Sequence, residues 1–194
     1  EARNTLGAAS RPPIELIGIG NGENRVEIGN ETVLFRHEET FHHPTALAIT
    51  IRENDPDFEE KIEKINRLNF ERVGQKIGVN LIALEETSGS PDDYAAAAEK
   101  CSRLSPLGQI LVSDSVSCLE AALKKVGNLS PLIRAGADAQ LDEICRLARD
   151  FSCPLVIRGS DLEETARRAE EAAGAGIEKL VLETASSSPR SILN

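Results

Sequence analysis

The chain has 194 residues, with 22 Lys and Arg against 32 Asp and Glu and a formal net charge of −10. A chain of that length buries roughly 70% of the surface its unfolded form exposes, enough for one domain with a sizeable core. No basic block could track a phosphate backbone, which argues against a nucleic-acid partner. The longest apolar runs, such as 95–98 and 180–182, fall far short of the roughly 20 residues of a membrane helix.

Residues 1–13 end in Pro12 and Pro13 and read as a linker, since paired prolines favour an extended path. In the extension that follows, 14–45, the glycine-rich "GIGNGEN" at 18–24 invites comparison with a phosphate cradle. It lacks a G-x-G-x-x-G that opens a helix, so a plain turn is the better reading. "RVEIGNETVLF" at 25–35 places two β-prone runs around Gly29 and Asn30, predicting a hairpin there.

From residue 46 short apolar strands alternate with amphipathic helices. A strand at 46–51 precedes a helix that starts near Asp55 to Asp57 and sets Phe58, Ile62, Ile65 and Leu68 on one face. Strand 80–86 precedes a helix opening at Ser90, Pro91 and Asp92 and running through Tyr94, Ala97, Ala98 and Cys101. Strand 109–114 leads to a helix near 117–126, and strand 131–136 to a helix carrying Leu141, Ile144, Cys145 and Ala148. Strand 154–159 leads to a helix from Asp161 through Leu162, Ala166, Ala169 and Ala173, and strand 179–184 comes last.

Strict alternation means a parallel sheet with right-handed crossovers. The expected α/β fold is a (β/α) TIM-type barrel over 46–194, incomplete at about six units where closure takes eight. An open doubly wound sheet is the alternative, although it would ordinarily bring a phosphate-binding turn. Cytoplasm is the expected compartment, since no charged segment precedes an apolar core at the start.

Four cysteines, Cys101, Cys118, Cys145 and Cys153, form no C-x-x-C pair of the kind that marks zinc or iron–sulfur sites. They read as reduced, buried, small apolar residues and not as a disulfide framework. All three histidines fall in "ETVLFRHEETFHHPT", 31–45. His37 and His42 bracket Glu38 and Glu39 at a spacing of five, yet no second Cys or His cluster completes a metal site. Acid–base work by His37 or His43 is open to an imidazole, but no orienting partner is visible. The favoured reading makes Arg36, His37, Glu38, Phe41, His42 and His43 an exposed contact set, because an aromatic beside charge is common at interfaces.

In a barrel, chemistry sits at the C-terminal ends of the strands. Those positions offer Glu85, Glu86, Thr87, Ser88 and Gly89; Ser113 and Asp114; Arg134 and Gly136; Arg158, Gly159 and Ser160; and Glu183. Such residues can bind a polar ligand, but Asp and Ser there are also ordinary helix caps, which is the favoured reading.

"VEIGNETVLFRHEETFHHPTALAI", followed by "INRLNFERVGQ", resembles the large (gamma) subunit of the corrinoid iron–sulfur protein of the CO dehydrogenase/acetyl-CoA synthase system. The similarity continues through "NLIALEETSGSPDDYAAAAEK", "PLIRAG", "CPLVIRG" and "GIEKLVLE". The resemblance implies a (β/α) barrel in the middle of a three-part subunit, between a domain with a four-cysteine [4Fe–4S] cluster and a corrinoid domain. It also implies pairing with a small barrel subunit and methyl transfer from methyltetrahydrofolate, through a methyltransferase, to acetyl-CoA synthase. Such chemistry belongs to the cofactor.

The chain departs from that pattern. No cluster-binding cysteine motif precedes 1–10, no corrinoid domain follows 194, and "LET" stands where the family tends to have an Asp-Pro-Gly-like turn. The expectation is therefore a fragment or truncated relative: a non-catalytic scaffold with no cofactor of its own, touching the small subunit and the corrinoid domain. The rival is a stand-alone barrel methyltransferase acting on a pterin or corrinoid, with Glu85, Asp114 and Glu183 as polar anchors.

Overall fold

A computed structural model describes residues 15–29, 43, 45–136 and 139–183. The central feature is one sheet of six parallel strands: β3 (Ala48–Arg52), β6 (Leu81–Glu85), β7 (Gly108–Ser113), β8 (Leu132–Ala135), β9 (Leu155–Arg158) and β10 (Leu180–Glu183). Their order across the sheet is their order in the chain. A doubly wound sheet reverses its strand order about a switch point, and this one does not, so that alternative fails. Two antiparallel pairs stand apart from the sheet: β1 (Ile17–Ile19) with β2 (Val26–Ile28), and β4 (Asn69–Arg72) with β5 (Gln75–Gly78).

Among the described residues five α-helices lie between the strands: α1 (Phe58–Asn66), α2 (Pro91–Leu104), α3 (Val116–Val126), α4 (Leu141–Asp150) and α5 (Leu162–Gly174). Three of them start on the caps their sequences advertise. Ser90, Ser115 and Asp161 accept hydrogen bonds from the backbone N–H groups of Asp93, Cys118 and Glu164 at 3.3, 3.4 and 2.8 Å. Pro91, at the first position of α2, gives up an N–H that would have no partner inside the helix.

The strands pair so that one residue from each forms a continuous row, Ile51–Leu84–Leu111–Ile133–Leu155–Leu180. That row faces the helices and packs with Ile62, Tyr94, Leu119, Leu123, Ile144 and Leu147 in the main core. Tyr94 is fully buried there, and its hydroxyl donates to the carbonyl of Leu84 at 2.9 Å. Because side chains alternate along a strand, the next row turns to the opposite face. The β1–β2 hairpin covers the N-terminal part of that second face, where Ile17 and Ile19 pack with Leu81, Leu132 and Val156.

The sequence placed the hairpin turn at Gly29 and Asn30. β2 does form, but it pairs backward with β1, and "GIGNGEN" is the connection between them. The apolar surface available to Ile17 and Ile19 beneath the sheet decides this pairing, whereas 31–35 lies outside the described residues. Gly20 secures the hairpin: it holds φ +83, its N–H donates to the Ser130 carbonyl at 3.0 Å, and a Cβ would stand 3.1 Å from the Gly108 backbone.

A second difference lies after α1. The helix stops at Asn66 and does not reach Leu68, which is half exposed. Asn66 instead reaches sideways, donating to the Leu104 carbonyl at 2.8 Å and accepting from the Ser105 hydroxyl at 2.6 Å. The β4–β5 ribbon follows, turning at Val73 and Gly74, both with positive φ. No signal used in reading the sequence anticipated it.

All four cysteines are free and buried, on α2, α3, α4 and just before β9. Burial pushes the Cys101 thiol up to about 12 and Cys153 up to about 11, and raises Cys118 and Cys145 as well. Thiolate is the reactive form. A thiol-reactive dye at mildly alkaline pH should therefore label none of the four in the native protein and all four in denaturant, and stoichiometric labelling of the native state would contradict this burial. Gly20→Ala should cost about 1–2 kcal/mol, from the left-handed backbone it must hold. Urea unfolding measures it, and an unchanged midpoint would mean that the hairpin is not anchored at this point.

Candidate functional site

The second face of the sheet carries charge at its C-terminal end. Next to the aliphatic row runs Arg52–Glu85–Val112–Arg134–Val156–Val181, one residue per strand, with Arg158 and Glu183 a step further along β9 and β10. Arg52 Nε lies 3.1 Å from Glu85 Oε2. Arg134 makes a two-pronged contact with Glu183, Nε to Oε2 and Nη2 to Oε1, both 2.7 Å. Arg158 Nε approaches the same carboxylate at 3.7 Å. The Arg134 and Glu183 side chains are about 30% exposed, so solvent screens the pair only in part.

The Arg134 guanidinium is held above its ordinary range. The hydrogen bonds it donates to Glu183 are the largest cause, burial opposes them, and the charges of Glu183, Asp114 and Glu85 add to them. Asp114 stands against Gly136, where a Cβ would collide with its carboxylate. Five of the residues singled out in the sequence, Glu85, Asp114, Arg134, Arg158 and Glu183, thus meet in one charged patch.

Glu86, Thr87, Ser88, Gly89 and Ser113 serve the loop between β6 and α2. Glu53, which the sequence reading did not select, accepts from the N–H groups of Thr87 and Ser88 at 3.0 and 2.6 Å. Glu86 accepts from the Gly89 N–H and, at 3.3 Å, from the Ser113 hydroxyl. Ser113 Oγ also receives the Ser115 N–H at 2.9 Å. Among the candidate residues, Ser160 completes the cap of α5, its N–H donating to Glu164 Oε2 at 2.7 Å. Gly159 lets the chain pass close to that helix, since a Cβ would meet the Thr165 nitrogen at 2.5 Å. The favoured capping reading thus holds for the neighbours of the strand-end residues more than for those residues themselves.

Of the histidine segment, Arg36, His37, Glu38, Phe41 and His42 lie outside the described residues. His43 is half-buried and not exposed as expected, with Nε2 3.9 Å from Glu27 Oε2. It lines a cleft of about 620 Å³ together with Glu23, Glu27, Asn80 and Leu107, at the N-terminal end of the sheet. The charged patch is at the opposite end, so His43 has no part in it.

A second cleft, of about 660 Å³, opens beyond β3 between Asp55, Asp57, Phe58, Glu60, Asp93 and Lys100. Its carboxylate-rich walls are unlike the mainly apolar lining of a cofactor pocket. Among the described residues no three His, Cys, Asp or Glu side chains are grouped to hold a metal. No helix among them is long and apolar enough to cross a membrane.

This geometry defines an α/β protein: one parallel sheet with strands in chain order, helices on one face and a hairpin with a paired-charge patch on the other. The family described as CO dehydrogenase/acetyl-CoA synthase delta subunit matches residues 16–190, and the chain belongs to it. The chain is 36% identical over 184 residues to the corrinoid/iron-sulfur protein large subunit of Moorella thermoacetica, covering 94% of this chain and 41% of that one. It is 34% identical to the acetyl-CoA decarbonylase/synthase complex subunit gamma of Methanothermobacter thermautotrophicus, with coverages of 94% and 40%. Against the gamma subunit of Archaeoglobus fulgidus the identity is 33%, with coverages of 89% and 37%. The resemblance read from the sequence is borne out, and the chain spans about two fifths of the length of these relatives.

Glu183→Gln should leave Arg134 and Arg158 without their shared counter-charge and lower stability by about 1 kcal/mol, given the partial screening. The loss should shrink in high salt. A salt-independent change of the same size would assign it to packing.

Proposed function

We propose that the chain supplies a section of the (β/α) barrel of a corrinoid iron–sulfur methyl carrier, and that this section is a scaffold with no catalytic group of its own. The names of the relatives support the assignment, and parallel strands in chain order are what a barrel section requires. The observation that carries the scaffold reading is the pairing of Glu85 with Arg52 and of Glu183 with Arg134. At the end of the sheet where barrels place their chemistry, these carboxylates tie β6 to β3 and, across β9, β10 to β8.

On this reading the corrinoid and the [4Fe–4S] cluster belong to other parts of a longer cytoplasmic protein. Its partners are a small barrel subunit, a methyltetrahydrofolate methyltransferase and acetyl-CoA synthase. The segment of Arg36, His37, Glu38, Phe41, His42 and His43 contributes to the contact with the remaining domains or the small subunit.

The protein isolated from its source should be much heavier than the 20.9 kDa of this chain, with cobalt, iron and a corrinoid spectrum. The chain alone should show no shift in melting temperature with methyltetrahydrofolate. A colourless native protein of about this mass, stabilised by the pterin, would sink the scaffold reading and establish the methyltransferase built on Glu85, Asp114 and Glu183.

A further inference from the structure

The sequence contains one Asn-Gly step, Asn21–Gly22, and it lies in the connection between β1 and β2. Asparagine is among the thermolabile residues, and a glycine after it removes the side chain that would shield the backbone nitrogen from the amide. Asn21 and Gly22 are both exposed. A Cβ at Gly22 would meet no atom within 4 Å, so the surroundings leave the step uncrowded.

The chemistry this step invites needs only water. The Gly22 backbone nitrogen gives up its proton and bonds to Asn21 Cγ; the Cγ–Nδ2 bond breaks, and the nitrogen leaves with that proton as ammonia. The resulting succinimide takes up one water, which opens it at either carbonyl to aspartate or isoaspartate. One water is consumed and one ammonia released, and nothing is oxidised or reduced.

The docked hairpin holds the step away from reaction. Ring closure needs the Gly22 nitrogen nearly eclipsed with Asn21 Cβ, whereas Asn21 keeps an extended backbone, φ −128 and ψ 164. Rotation about that ψ is restrained on both sides: the Gly20 N–H donates to the Ser130 carbonyl at 3.0 Å, and the Arg25 N–H to the Gly22 carbonyl at 3.3 Å. The leaving nitrogen is itself engaged, since Asn21 Nδ2 donates to the Asn128 carbonyl at 2.5 Å. The contacts to Asn128 and Ser130 last only while Ile17 and Ile19 stay packed with Leu81 and Leu132.

We propose that Asn21 is a site of spontaneous deamidation whose rate is set by opening of the β1–β2 hairpin, and that the product keeps the hairpin from closing fully again. When local opening is fast relative to the reaction, conversion follows the population of the open form. Aspartate at 21 has no donor for the Asn128 carbonyl and sets a carboxylate against it. Isoaspartate in addition routes the main chain through the former side-chain methylene, which changes the spacing of the turn. Loosening permits the reaction, and the reaction makes the loosening permanent.

Mass spectrometry of the peptide around Asn21 tests this, on the whole chain held at mildly alkaline pH both folded and in urea. Asn21 should convert several-fold more slowly in the folded chain. Gly22→Ala should slow conversion in urea by shielding the attacking nitrogen. Ile19→Ala, which thins the hairpin's apolar contact, should bring the folded rate toward the unfolded one, with circular dichroism checking that the sheet persists. Hydrogen exchange at the Gly20 N–H should quicken several-fold in Asn21→Asp, and this readout carries the test with the folded-against-urea comparison if Ile19→Ala fails to fold. Equal rates folded and in urea, no conversion in either, an undiminished rate with Gly22→Ala, a folded Ile19→Ala chain that converts no faster, or unaltered exchange in Asn21→Asp would each overturn the proposal.

Discussion

The register of the six parallel strands is the constraint on which everything else rests. Because the side-chain period is two, aligning Leu84, Leu111, Ile133 and Leu155 toward the helices forces Glu85, Val112, Arg134 and Val156 onto the other face. A slip of one residue in β3, β6, β8, β9 or β10 would turn a charged side chain toward the helix-packed core. Burial of a Leu or Ile side chain is worth about 1.5–3 kcal/mol, so the register is held by several such terms acting together.

The second face resolves its mixed character by length. Its N-terminal part is aliphatic and takes the Ile17 and Ile19 hairpin; its C-terminal part is charged and satisfies itself by cross-strand pairing. Arg134 and Glu183 reach each other across β9, so the last described strand is tied to the sheet by electrostatics as well as by its ladder. Carboxylates engaged in this way hold the strand geometry. The scaffold role proposed for this section follows from that, and chemistry in the wider protein would rest on cofactors held elsewhere.

Among the described residues nothing pairs with the outer edges of β3 and β10, and native proteins cover or pair such edges. Leu182 on β10 is largely exposed, and β3 is exposed along most of its length. Relatives more than twice as long as this chain have further segments that could meet such edges.

The sequence by itself determined the alternation of strand and helix, the caps at Ser90 and Asp161, the burial of the cysteines and the family. All of these depend on local periodicity, local hydrogen bonding or long runs of residues that survive translation into one dimension. Tertiary structure alone decided that Ile17 and Ile19 pair with β2, because the apolar surface they pack on belongs to strands more than sixty residues further along the chain. It alone ended α1 at Asn66, whose side chain finds Leu104 and Ser105 across the helix layer. It also joined Arg134 to Glu183 over a separation of 49 residues while leaving Thr87 and Ser88 to a loop organised by Glu53. Strand-end position told which residues could meet, but whether a carboxylate would face a ligand, a cap or an arginine depends on the neighbour that register and crossover place beside it.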